Sequence, residues 1–292
     1  MNASRAAWLF VAPALVVIAV FFLLPAMASL LLSLTDFDLY ALSNSRNMRW
    51  VGFGNYIDLL QRPLFWQALG NTLYFVVVGV PVSIAVSLAA ALLLNSTAAR
   101  FTPFFRTALF APVVTTVVAV AVIWRYLFHA RYGLINVALD AVGIAPIDWL
   151  GDPNWAMPTI ILFAVWKNFG YNMIILLAGL QAIPVDLFEA ARIDGASRWQ
   201  QLRYITLPSL LPTLLMVSIL TLSGYFQLFT EPYVMTEGGP LQSTMSVLYL
   251  MFEDGFKWWN LGAASAVAFL LFLLMLSSTF ALVRLGRRSQ AL

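Results

Sequence analysis

The 292-residue chain contains no cysteine, one histidine, two lysines and few charges of either sign. Each scarcity removes a class of chemistry. Without cysteine there is no disulfide and no thiol nucleophile. His129 alone cannot assemble a zinc site from the usual ligands, and its place just beyond an apolar run keeps it out of any Ser–His pair within a membrane. Lys167 and Lys257 are flanked by Trp166 and Asn168, and by Phe256 and Trp258, so neither ends the Gly-Lys-Ser/Thr of a P-loop. The chain cannot hydrolyse ATP through a P-loop of its own. Charged residues make up 10% of it, against about 25% in soluble domains. With 62% hydrophobic residues and a mean hydropathy of +0.86, it belongs in a bilayer.

Windows without Asp, Glu, Lys or Arg cover 6–35, 63–99, 107–124, 204–230 and 258–283, and 153–185 contains only Lys167. About 20 apolar residues cross the hydrocarbon as a helix, so each window holds one crossing. The expected spans are Trp8–Leu34, Ala68–Leu94, Thr107–Leu127, Ala156–Leu180, Leu210–Phe229 and Leu261–Val283. Arg5 and the sequence Ala26-Met27-Ala28 mimic a signal peptide, but the apolar run continues to Leu34, too long for a signal core. The fold class is an all-α membrane protein with six transmembrane helices.

The placement of basic residues sets the orientation. With the N-terminus inside, inner segments hold nine arginines (Arg5, Arg100, Arg106, Arg192, Arg198, Arg203, Arg284, Arg287 and Arg288) and three acids. Outer segments hold six basic residues and the other ten acids. Both termini are therefore expected to be cytoplasmic. Seven tryptophans, among them Trp66, Trp124, Trp149 and Trp258, cluster near the outer face as an interfacial belt would.

The longer inner connection, Gln181–Pro208, reads as two short helices. Pro184 suits a first turn, and Asp186 and Glu189 put negative charge near a helix N-terminus. Gly195 can take the left-handed conformation that stops this helix. Ser197 with Gln200 three residues on forms a capping-box pattern that opens a second helix, and Pro208 closes it. Ala190 and Ala191 leave one face without bulk. An ordinary hairpin lying on the membrane would also fit this spacing.

Glu189-Ala190-Ala191, Gly195 and Ile205-Thr206-Leu207-Pro208 resemble, at matching spacing, the EAA loop of ABC-importer permeases. Leu177–Pro184 and the stretch Glu189–Ser197 are similar to the carbohydrate-uptake branch, of the maltose and glycerol-3-phosphate type. So are Asn71-Thr72-Leu73, Pro232–Thr236 and Gly238-Gly239-Pro240. The resemblance covers roughly Phe65 to Val283. It implies an ABC importer type I permease fold in the bacterial cytoplasmic (inner) membrane. It also implies a second homologous permease, two ATP-binding subunits and an external solute-binding protein as partners. ATP and Mg would sit on the ATPase subunits, and no cofactor on this chain. Glu189, Ala190, Ala191 and Gly195 would be the ATPase-coupling residues. Residues 1–66 would then be an N-terminal helix and external loop. A five-helix core would fill 67–284, containing the coupling loop 181–208, and 285–292 would be a cytoplasmic tail.

Polar groups within hydrocarbon usually face protein or water. Lys167 lies near mid-bilayer, too deep for its side chain to reach the interface. Asn168 and Asn172 share one helical face, and Lys167 and Tyr171 the adjacent one. On the fifth span Thr221 and Tyr225 recur with helical spacing, with Gln227 beyond them. These seven residues are the expected solute pathway, lined by amides, hydroxyls and rings without carboxylates, which suits a neutral polyol. The hydroxyl of Tyr225 is expected to face the solute. Interhelical hydrogen bonding would account for the same residues. Ser83, Ser87 and Ala91 read as a packing seam on the second span.

The function expected is therefore a non-enzymatic permease subunit moving a sugar, oligosaccharide or related polyol. Import of a non-carbohydrate solute would share the loop. An ion-coupled carrier is disfavoured, because the spans hold no acid for a proton relay and no inverted repeat is detected. An intramembrane enzyme lacks a nucleophile–base pair. The positive net charge reports topology, and no nucleic-acid partner is expected.

Overall fold

A computed structural model of the chain describes residues 3–44, 48–96 and 100–290. The helices used below are α1 (Phe10–Leu32), α2 (Pro63–Asn95), α3 (Thr102–Val114), α4 (Val117–Leu127), α5 (Pro153–Gln181), α6 (Val185–Ile193), α7 (Arg198–Phe226), α8 (Thr230–Met235) and α9 (Leu261–Gln290). Among the described residues, α1, α2, α5, α7 and the Leu261–Gly286 part of α9 are long and apolar enough to cross a membrane. A sixth crossing exists if α3 and α4 are counted together.

That sixth crossing differs from the single helix expected over Thr107–Leu127. α3 and α4 meet at 96°, with Thr115 and Thr116 in extended backbone between them. Residues 113–118 are six consecutive β-branched residues, which fit a helix poorly. The Thr115 hydroxyl donates to the Pro112 carbonyl at 2.6 Å, taking up an acceptor that the break exposes.

The chain forms two compact units. One contains the described residues up to Trp66 together with Leu250–Phe272. Within it Arg62 donates to both carboxylate oxygens of Asp254, at 2.9 and 3.2 Å. Gly262 packs so closely on the Thr35 carbonyl that a β-carbon there would collide with it. Helix α1 has none of its span buried, as an apolar helix facing lipid would.

The other unit contains Gln67–Tyr249 and the residues from Leu273 onward. Its hub is α5, whose span is 61% buried, the largest share among the candidate spans. Two glycines let neighbours approach. Gly170 lies against the backbone of α3 at Leu109 and Phe110, and Gly179 against Thr213 and Leu210 of α7. Met173, Leu176, Leu177 and Leu180 of α5 pack with Ala91 and Leu94 of α2 and with Leu210 and Val217 of α7. Ser83, Ser87 and Ala91 are fully buried on α2, and Ser87 donates to Phe169 of α5 at 3.0 Å, so the seam is packing.

Trp124 stacks on Phe128 at 5.0 Å and meets Phe163 and Trp166 edge-on or tilted, while Trp149 contacts Phe128 and Trp155. Trp124 and Trp149 thus belong to an aromatic cluster joining α4 to the start of α5, in addition to any interfacial role.

Candidate functional site

The connection after α5 begins at Pro184, which occupies the cap position just before α6. Gly195 ends that helix with φ +78. The amide of Ala196 donates to the Ala191 carbonyl at 2.8 Å and that of Gly195 to Arg192 at 3.1 Å. These paired bonds are a Schellman motif, with glycine at the residue that must be left-handed. Ser197 and Gln200 then exchange side-chain and backbone bonds at 2.7 and 3.3 Å, completing the capping box.

The second element differs from the short helix expected. Arg198–Phe226 runs as one helix, so Pro208 does not close anything. A wider π-type turn at Leu202–Thr206 immediately precedes it. Proline lacks an amide proton and clashes with the carbonyl four residues back, and the wider turn relieves both demands. Pro25 follows a π-type turn at Ala19–Leu23 in the same way.

On α6, Phe188 points inward against the cluster of Leu180, Ile183 and Leu210. Glu189 and Ala190 are exposed, Ala191 is half-buried, and Ile193 is 87% exposed. Val185 and Leu187 are exposed as well, and Trp199 and Tyr204 beyond the turn. The loop thus presents apolar side chains around one glutamate, on a segment whose other face is anchored in the core.

A cavity of about 380 Å³ lies between α3, α4, α5 and α7. All seven residues expected on the solute pathway line it: Lys167, Asn168, Tyr171, Asn172, Thr221, Tyr225 and Gln227. Asn172 donates to the Thr221 hydroxyl at 2.8 Å, bridging α5 to α7. Asn168 donates back to Ala164 at 2.9 Å. Tyr171 and Gln227 are exposed to the space.

Lys167 is 7% exposed and donates to the Val113 carbonyl at 3.0 Å. Val113 sits in the last turn of α3, where the break removes the usual amide partner. The ammonium therefore caps a helix C-terminus, where a cation is favoured by the backbone dipole.

Tyr225 contributes its ring rather than its hydroxyl. The ring stacks on Phe75 at 4.9 Å, and a β-carbon at Gly79 would lie 2.6 Å from it. The hydroxyl is buried and lies by that of Ser83, without a well-formed hydrogen bond between them. The expectation that this hydroxyl faces the solute is corrected: Gly79 admits the ring between helices, and the oxygen ends inside the packing.

One residue of the cavity was not anticipated. Glu231, on the short helix α8, lines it, so the expectation of a cavity without carboxylates does not hold. It stands one residue past a charge-free window and was counted with the outer segments. α7 ends at Phe226, and the chain turns through residues 227–229 beside the cavity before α8 begins. Irregular backbone at membrane depth is tolerated where it lines such a space.

Candidate membrane spans, a cavity with polar lining between α3, α4, α5 and α7, and a capped loop joining α5 to α7 fit a multi-pass transport component. Residues 83–290 match the family described as binding-protein-dependent transport system inner membrane component, and the chain belongs to it. It is therefore a membrane subunit of the bacterial inner membrane rather than an enzyme. It is 38% identical to the lactose transport system permease protein LacF of Rhizobium radiobacter, over 94% of this chain and 91% of that one. It is 35% identical to the trehalose/maltose transport system permease protein MalF of Thermococcus litoralis, over 97% and 94% of the two chains. In fold it matches a chain of a bacterial ABC transporter involved in import of the acidic polysaccharide alginate. The TM-score is 0.80 at 23% identity, covering 97% of this chain and 96% of that one.

Proposed function

We propose that this chain is the permease of an ATP-driven importer that moves a sugar, oligosaccharide or related polyol through the Lys167–Tyr225 cavity. The observation that carries this reading is the gathering of seven polar and aromatic residues around one space of small-ligand size. Amides and hydroxyls pair with sugar hydroxyls, and rings such as Tyr171 cover C–H faces. Relatives named for lactose, trehalose/maltose and arabinooligosaccharides support the same class.

In this reading Glu189, Ala190, Ala191 and Gly195 form the contact with an ATPase. The exposed Val185, Leu187 and Ile193 around Glu189 suit a groove on another subunit. The partners are a second homologous permease, two ATP-binding subunits carrying ATP and Mg, and an external solute-binding protein. A relative in fold solved with its periplasmic protein supports the last of these. The chain itself binds no cofactor.

The test is uptake by the co-purified complex in proteoliposomes, with binding protein outside and ATP inside. Radiolabelled lactose, trehalose and an arabinooligosaccharide are compared with amino acids. ATP-dependent accumulation of a sugar is expected. Accumulation of amino acids alone would overturn the carbohydrate assignment.

A further inference from the structure

The cavity holds two charged side chains, and their arrangement bears on which solutes it admits. Lys167 and Glu231 are the only acidic or basic residues among those that line it. They interact electrostatically without an ion-pair contact, and no side chain among the described residues donates a hydrogen bond to Glu231. The ammonium is spent on the Val113 carbonyl at 3.0 Å and is almost completely covered. Glu231 projects from a different helix, α8. No arginine is among the described residues that line the space.

A cavity for an anionic sugar needs a free cation, preferably an arginine whose fork matches a carboxylate. Here the one cation is tied to backbone and balanced by a carboxylate in the same space. We propose that Glu231 is a specificity-determining residue. By countering Lys167 it leaves the cavity with no net charge to offer, so uncharged saccharides are accepted and acidic ones rejected. The proposal rests on the carbohydrate reading and narrows it. The relatives do not decide the matter, since they include a permease named for lactose and a structure solved for an importer of acidic alginate.

The chemistry makes opposite demands on the two residues. Removing the carboxylate leaves Lys167 uncompensated and turns the cavity cationic. Removing the ammonium leaves Glu231 alone and turns it anionic. Either way the effect on an acidic solute is electrostatic and has a sign.

The experiment uses the purified complex of both permeases and ATPase subunits, without binding protein, so that only the cavity is read. The probes are lactose and its galacturonosyl analogue, which has a carboxylate in place of the galactosyl hydroxymethyl group. Binding is measured by equilibrium dialysis at low ionic strength. The wild-type complex is expected to hold lactose at least tenfold more tightly than the acid. Glu231→Gln, which keeps the shape of the side chain, should narrow that ratio to threefold or less through tighter binding of the acid. Lys167→Gln, which can still donate to Val113, should widen it. Equal binding of both probes by the wild type overturns the proposal and leaves the carbohydrate reading standing. An unchanged ratio in Glu231→Gln does the same. An intact complex that binds neither probe, nor trehalose, nor an arabinooligosaccharide, overturns the carbohydrate reading and this selectivity with it.

Discussion

Asn71 donates to the carbonyl of Met245 at 2.9 Å, although 174 residues separate them in the chain. The same amide donates to Gln242 at 2.8 Å, and the hydroxyl of the neighbouring Thr72 accepts from the Val247 amide at 3.0 Å. Asn71-Thr72 and the Gly238–Pro240 region, two separate marks of family resemblance, are thus parts of one structure. The start of α2 holds the loop that follows α8.

Asn71→Ala strands two carbonyls and Thr72→Val removes an acceptor, and each is expected to cost about 1–3 kcal/mol. A lowered unfolding midpoint of the detergent-purified complex is the readout. An unchanged midpoint in both variants would mean that this loop is held elsewhere.

Gly79→Ala and Tyr225→Phe should diverge. The added methyl would stand 2.6 Å from the Tyr225 ring and force it off Phe75, so overpacking should cost about 1–3 kcal/mol and reduce uptake. Tyr225→Phe deletes a buried oxygen that lies by the Ser83 hydroxyl without a well-formed hydrogen bond, and it should cost less than Gly79→Ala. Thermal unfolding of the two variants side by side checks this. A strongly destabilised Tyr225→Phe would show that the hydroxyl has a role the packing does not reveal.

Gly195 permits a graded test, because a β-carbon there meets nothing within 4 Å. Any effect of substitution is conformational rather than steric crowding by neighbours. Gly195→Val should strain the turn by roughly 1–2 kcal/mol, whereas Gly195→Asn, tolerant of the left-handed region, should be mild. Glu189→Lys reverses the charge at the centre of the exposed patch. In reconstituted complexes, Gly195→Val and Glu189→Lys should lose uptake or uncouple it from ATP hydrolysis, with Gly195→Asn near wild type. Full coupling in both disruptive variants would remove the ATPase contact from this loop.

Orientation can be read directly, since no native cysteine gives background. Ser96 and Asn154 are both exposed and lie on connections expected to face opposite sides. A cysteine at 154 should label in intact cells, and one at 96 only after permeabilisation. External labelling at 96 would invert the topology.

What could be read from sequence was local or periodic. Gly195 and the Ser197–Gln200 box involve residues within a few positions of each other, so spacing alone reports them. The polar cavity residues share helical faces on α5 and α7, and a polar face in an apolar span usually turns inward. The rest depends on direction and depth. Hydropathy sees that 107–124 is apolar but not that six β-branched residues break it at 96°. The partner of Lys167 is a backbone carbonyl made available by that break, which no residue code announces. Glu231 stands just past an apolar window and looks like a loop charge, until the early end of α7 brings it to the cavity.

The absence of a break at Pro208 has a mechanical consequence. Arg198 and Phe226 are ends of one rod of 29 residues, about 43 Å long at 1.5 Å per residue. Its foot stands in the capping box beside the glycine turn, and Thr221 and Tyr225 near its head form cavity wall. Pivoting such a lever by about five degrees at the foot moves the head by about 4 Å, comparable to a hydrogen-bond length. On the proposed reading, a push delivered beside Ser197 would need no relay of side chains to open or shut the space around a solute: leverage alone would carry it there.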